Sequence, residues 1–282
     1  MKNHFKFSSV ALIAVALIGT VGLGATISHA GEEAATNQDA LDLAKKTQNP
    51  ISDLISVPLQ NNFNFSGGPD DEMQYVLNIQ PVYPLRIHEN WNWINRVILP
   101  VIYQPFQREE EGGKAGLGDI QYQGFLVPAK ASKFVWGVGP VVQFPSATDE
   151  ILGTEKWSMG PGAVALVTQG RWVIGSLINN IWSIGGRHHH RQDVNLMTWQ
   201  YFVNYNLPKG WYLTSSPIMT VNWQAANDDK WTVPIGGGFG KIFKIGKLPL
   251  NFQVAAFYNL EHPENTSDWS LRLQLQFLFP KD

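Results

Sequence analysis

The chain of 282 residues contains no cysteine, which excludes disulfide staples and thiolate chemistry. Charged side chains make up only 16%, against about 25% in ordinary soluble domains. The formal net charge is -2, so no basic field is present to attract nucleic acid. Beyond the amino-terminal region no run approaches the roughly 20 apolar residues that a membrane helix needs. No helix-period segment is long enough to cover a sheet, which argues against a layered α/β enzyme. Hydrophobic content, at 44%, is ordinary. Scarce charge without long apolar runs suits a wall with lipid on one side and neutral polar groups on the other.

What is present is a period of two. From Trp269 to Phe279 a large apolar residue holds every odd position against Ser270, Arg272, Gln274 and Gln276, the mark of a two-faced β-strand. The same alternation runs from Val57 to Phe65 and from Tyr75 to Gln80. Continued along the chain, it predicts strands near 56–66, 73–85, 93–106, 117–128, 133–145, 156–168, 171–185, 193–207, 211–224, 230–242, 248–260 and 268–279. That is about twelve, an allowed even number for an outer-membrane barrel. The expected fold class is therefore all-β, an antiparallel transmembrane up-and-down β-barrel with a short N-terminal extension.

The connections agree. Links such as Gln169-Gly170 and Ala129 to Ser132 are tight, whereas Gln107 to Gly116, Pro145 to Glu155, Gly185 to Gln192 and Glu261 to Ser267 are long and often acidic. Short periplasmic turns and longer outside loops are the barrel pattern. Of the 11 tryptophans, all but Trp199 fall near predicted strand ends, where indole rings sit at headgroup level. Upstream, Lys2 and Lys6, an apolar run from Val10 to Ile18 and Ser28-His29-Ala30 form a signal-peptide pattern, with cleavage expected after Ala30. Residues 1–30 are thus read as a signal peptide, 31–52 as a periplasmic or lumen-entering segment with a helical stretch from Asp39 to Lys46, and 53–282 as the barrel.

Prolines at 81, 100, 140, 161, 217 and 234 fall inside predicted strands, and each removes a ladder hydrogen bond. They mark bulges that shape the wall, or else a gap that opens it sideways to lipid. The cluster His188-His189-His190 is read as a solvated outer loop, because adjacent histidines rarely close one metal site. The run from Gly236 to Lys241 lacks the spacing of a phosphate loop. No metal, cofactor or catalytic residue is therefore expected. A barrel hydrolase would draw on His88, His262 or the histidine cluster with Ser183, Asp193 or Asp268, yet nothing pairs these at a diagnostic spacing. The inward face predicts a lumen lined by Arg96, Gln104, Gln121, Gln123, Gln200, Asn204, Asn222, Arg272, Gln274 and Gln276. Such a lining, mostly neutral, in a barrel of about twelve strands makes a narrow, partly filled interior.

The stretches Asn49 to Phe65, Gln74 to Pro81, Gly116 to Ile120, Trp136 to Pro140, Phe144 to Asp149, Trp231 to Pro234 and Leu271 to Gln274 carry a resemblance that runs from about Asn49 to Lys281. By them the chain resembles a bacterial outer-membrane transporter family, often mislabelled neuromedin U, and is similar to barrels associated with meta-pathway phenol degradation. The resemblance implies an outer-membrane barrel that moves hydrophobic or aromatic compounds, and it supplies no site residues. The function expected is passive uptake of small apolar solutes, with outer-membrane lipid and the barrel-assembly machinery as partners. The alternatives are a sealed barrel acting through its outer loops and, third, an outer-membrane hydrolase.

Overall fold

A computed structural model describes residues 37–67, 71–105, 113–130, 132–186, 191–264 and 266–279. The signal segment, the histidine cluster and the acidic run at 109–111 lie outside these residues. One helix, α1 (Asn37–Thr47), is followed by strands β1 (Ile55–Gly67), β2 (Glu72–Ile79), β3 (Val82–His88), β4 (Trp91–Gln104), β5 (Lys114–Leu117), β6 (Gln121–Pro128), β7 (Phe134–Gln143) and β8 (Lys156–Gln169). There follow β9 (Trp172–Gly186), β10 (Asn195–Asn206), β11 (Trp211–Ser215), β12 (Ile218–Asn222), β13 (Trp231–Ile245), β14 (Leu248–Glu261) and β15 (Trp269–Phe279). The pairs β2/β3, β5/β6 and β11/β12 each form one broken stave, which leaves twelve staves, all antiparallel.

The first and last strands pair over their whole length, from Ile55 opposite Phe279 to Phe65 opposite Trp269. Together with the β1–β2 pairing this closes the sheet into a barrel without an edge. The tight turns and both ends of the barrel share one rim, the turn end. The long links share the other, the loop end.

Side-chain alternation divides the wall. Outward, Trp136, Trp172 and Trp211 are exposed near the turn end, and Trp157, Trp182, Trp223, Trp231 and Trp269 near the loop end, two girdles as at membrane interfaces. Mid-strand Trp199 also faces outward and donates its indole N–H to Ser176 Oγ at 2.8 Å. Other outward polar groups are likewise met by an aromatic donor. Tyr75 donates to Asn61 at 2.7 Å, Tyr122 to Asn95 at 2.8 Å and Trp223 to Asn180 at 2.9 Å. In hydrocarbon each would otherwise be unsatisfied.

Backbone around most of the in-strand prolines makes up for the missing donors, but the ladder skips Gly124-Phe125 and Gly160-Pro161, beside a hollow of about 660 Å³ lined by Gly139, Pro140, Gly160 and Pro161. Pro81 lies in the break between β2 and β3, where Gln80 N donates to Pro58 O at 2.9 Å and Val97 N to Pro81 O at 3.1 Å. Pro100 accepts from Gly118 N at 2.9 Å, Pro217 lies in the β11/β12 break, and Pro234 sits at a register shift. Pro140 and Pro161 face each other across β7 and β8, and each follows a glycine. A Cβ on Gly139 would lie 1.9 Å from Gly124 O, and one on Gly160 1.8 Å from Asn180 O. The neighbouring strands close onto the bare Cα atoms at the two places where proline removes a donor.

Inward, the barrel is filled asymmetrically. Ile94, Phe125, Val127, Val164, Leu166, Val173, Leu177 and Phe202 pack into one buried apolar cluster with Val82 and with Ile51 from the segment before β1. This side of the lumen is a core. Most of the polar interior lies on the other side, with Ser158 of β8 and Asn179 of β9 as buried exceptions on this one.

Candidate functional site: a polar cavity inside the barrel

The site is built on strand residues of even phase on β1 and β15 and their neighbours. Gln60, Asn62, Arg272, Gln274 and Gln276 point inward because each alternates with an outward apolar residue, and antiparallel pairing sets Gln60 opposite Gln274 and Asn62 opposite Arg272. On the next stave Gln80 occupies the β2/β3 break, and Arg96 of β4 stands opposite Val82. From the other side come Asn251 and Gln253 of β14, Tyr212 and Thr214 of β11, Ser216, and Gln200 and Asn204 of β10. These groups, apart from Asn62, line a partly open cavity of about 140 Å³.

Its walls carry two hydrogen-bonded chains. Arg96 donates through Nη2 to Gln80 Oε1 and through Nη1 to Gln123 Oε1 at 3.4 Å. Gln80 Nε2 donates to Gln60 Oε1 at 3.3 Å, and Gln60 Nε2 to Asn62 Oδ1 at 3.1 Å. Asn62 Oδ1 also accepts from Arg272 Nε at 3.1 Å. Arg272 donates further to Ser216 O at 2.9 Å and lies 4.7 Å from the Phe257 ring centroid. On the opposite wall Tyr212 donates to Asn251 Oδ1 at 2.7 Å, and Asn251 Nδ2 donates to Gln276 at 3.2 Å.

The floor comes from the segment before β1. Leu43 and Ala44 of α1 pack on Tyr212 and Ile242, and Gln48 and Asn206 exchange amide hydrogen bonds of 2.9 and 3.1 Å. Thr47, Gln48, Asn49, Pro50 and Ser52 line the cavity from below. At the loop end Asp119 organises the connection that follows β7. Its carboxylate accepts from Thr154 N at 2.6 Å, Thr154 Oγ1 at 2.7 Å and Ala147 N at 3.2 Å, while Ser146 Oγ accepts from Ile120 N at 2.8 Å. The stretches Gly116 to Ile120 and Phe144 to Asp149, separate in the sequence, thus meet in one clamp. Arg191 ties the same loop to the next through Glu155 at 2.9 Å.

Of the residues predicted to line the lumen, Arg96, Gln200, Asn204, Arg272, Gln274 and Gln276 border the cavity. Gln123 touches Arg96 and donates to Gln121 at 2.7 Å. Gln104 and Asn222 lie apart from it at the loop end, Gln104 bound to Gln74 and Asn222 accepting from Gln224 N at 3.1 Å. Sequence reasoning passed over Gln80 and Gln253, although both are polar at inward phase. It also missed Tyr212 and the contribution of residues 47–52. Around the hydrolase candidates, His262 pairs with Asp268 at 3.4 Å and Ser183 with Asp193 at 3.2 Å, while His88 accepts from Asn90 N at 3.2 Å. The described residues do not join a serine, a histidine and an acid.

No protein-family model matches the sequence, and no curated protein matches it. Among solved structures, the barrel is similar to an outer membrane channel from Pseudomonas putida F1, with a TM-score of 0.61, 16% identity and coverage of 80% of this chain and 94% of that one. It is also similar to the NanC porin, with a TM-score of 0.53, 9% identity and coverage of 80% and 100%. The chain has the fold of the bacterial outer-membrane channel barrels.

Proposed function

We propose that the protein is a passive outer-membrane channel through which small hydrophobic or aromatic compounds enter the cell. The observation that carries this reading is the internal cavity of about 140 Å³, set within a wall whose fold is shared with an outer membrane channel. That volume is close to the roughly 150 Å³ of a cavity known to take benzene, so a single-ring solute is of a size that fits it. Diffusion down a gradient uses no nucleotide. In this reading the signal peptide delivers the chain to the periplasm, the assembly machinery inserts it, and the lumen residues named above line the route.

The test is uptake into vesicles with a lipopolysaccharide outer leaflet, a barrier that apolar solutes cross slowly unaided. Folded protein, verified by heat-modifiable gel mobility, is expected to accelerate entry of benzyl alcohol but not of sucrose. No acceleration for any solute would favour instead the sealed barrel that acts through its outer loops. The apolar filling beside β8 and β9 is the feature consistent with that second reading.

A further inference from the structure

The cavity holds two guanidinium groups and no acid. Among the residues that line it are Arg96 and Arg272, and none is aspartate or glutamate. Arg272 is only 7% exposed, and among the described residues no carboxylate lies within ion-pair distance of either arginine. A buried charge is ordinarily paired, and here Arg96 is met by neutral oxygens and Arg272 by neutral oxygens and the face of the Phe257 ring. The amide chain through Gln80, Gln60 and Asn62 turns carbonyl oxygens towards each arginine. This orients the two cations without neutralising them. Each guanidinium has five N–H donors; the protein engages Nη1 and Nη2 of Arg96 and Nε and Nη1 of Arg272, and among the described residues it leaves Arg96 Nε and Arg272 Nη2 without a bond. Beside Arg96 the cavity wall turns apolar at its cross-strand partner Val82 and at Phe202.

From this arrangement we propose that the cavity is a binding site for a small monocarboxylate on a single ring or short apolar body. The carboxylate accepts from Arg96, Arg272 adds a second positive charge to the same cavity, and the apolar part lies against Val82 and Phe202. Guanidinium forks match carboxylate geometry, and an anion supplies the charge that the fold leaves out. The proposal sharpens the channel reading from apolar solutes in general to aromatic or short-chain acids. It rests on that reading only for the route, since binding is measurable without flux.

The probe is benzoate, titrated calorimetrically into the folded full chain in detergent, with benzyl alcohol as its neutral counterpart. Benzoate is expected to bind at least tenfold more tightly than benzyl alcohol. Arg96→Gln should weaken it at least tenfold and Arg272→Gln by a smaller factor, while Arg96→Lys keeps the preference for the acid. Equal affinity for acid and alcohol, or affinity unchanged in both glutamine variants, would overturn the proposal. A second measurement needs no variant: benzoate binding to the wild type should fall as the ligand itself is protonated, near pH 4 as for an ordinary carboxylic acid, while benzyl alcohol binding stays flat. Benzoate affinity that persists through that range also overturns it. Benzoate binding without flux would leave the site standing and remove the channel. Flux of neutral aromatics without benzoate binding would do the reverse.

Discussion

Glycine beside proline carries a specific job in this wall. Pro140 and Pro161 delete two donors from a sheet that has no edge to spare, and Gly139 and Gly160 let the adjoining carbonyls close the space. Even one added methyl group at Gly160 meets backbone at 1.8 Å, so strand β8 or β9 must move. Gly160→Ala is expected to destabilise the barrel by roughly 1–3 kcal/mol, the usual cost of overpacking. Gly185→Ala, where nothing lies within 4 Å, should be close to neutral. Urea midpoints of the two variants in lipid vesicles check this, and equal midpoints would show that the close approach relaxes freely. The outward polar groups follow a similar local logic: Trp199 stands mid-strand because Ser176 needs a donor there, and it is not part of either girdle.

At the scale of elements, the segment from α1 to β1 has the most bearing on function. Leu43 and Ala44 rest on Tyr212 and Ile242, Gln48 is bound to Asn206, and Ile51 enters the apolar cluster. The segment therefore seals the turn end of the cavity. Deleting residues 37–49, which carry α1 and the Gln48 contact, is expected to raise single-channel conductance several-fold while leaving heat-modifiable mobility intact. Unchanged conductance would mean that the segment does not stand in the path. The strands themselves were legible in the sequence because one face meets lipid and the alternation is strict, and every predicted strand corresponds to a stave. The breaks at residues 80–81 and 216–217 were not legible, since a proline shows a missing donor without showing how neighbouring backbone makes up for it, and the break at 118–120 contains no proline to mark it. The helical stretch was readable from Asp39 to Lys46, but its docking under the barrel leaves no periodic trace.

For the whole molecule, the interior divides into a packed apolar side and a polar side with a cavity. The polar side was partly legible: Arg96, Arg272, Gln274 and Gln276 alternate with leucines and valines that can only face lipid. The apolar side was not. On β8 and β9 the inward Val164, Leu166, Val173 and Leu177 are flanked by outward Ala165, Val167, Ile174 and Ile178, so both faces are apolar and phase is lost. Asp119 shows the same limit for long-range contacts, because its partners lie 28 and 35 residues away. The proposed route runs through the polar side, bounded by the segment below, the clamped loop above and the core to one side.

The measurement that tests this most directly fills the cavity and leaves the wall alone. Gln274→Trp places an indole inside the lumen at a position that borders the cavity. Uptake of benzyl alcohol into lipopolysaccharide-faced vesicles is then compared with wild type at equal amounts of folded protein. The account predicts that the variant inserts normally and loses the accelerated uptake. Wild-type uptake by the folded variant would contradict it, because the solute would then be crossing by a path that avoids the cavity.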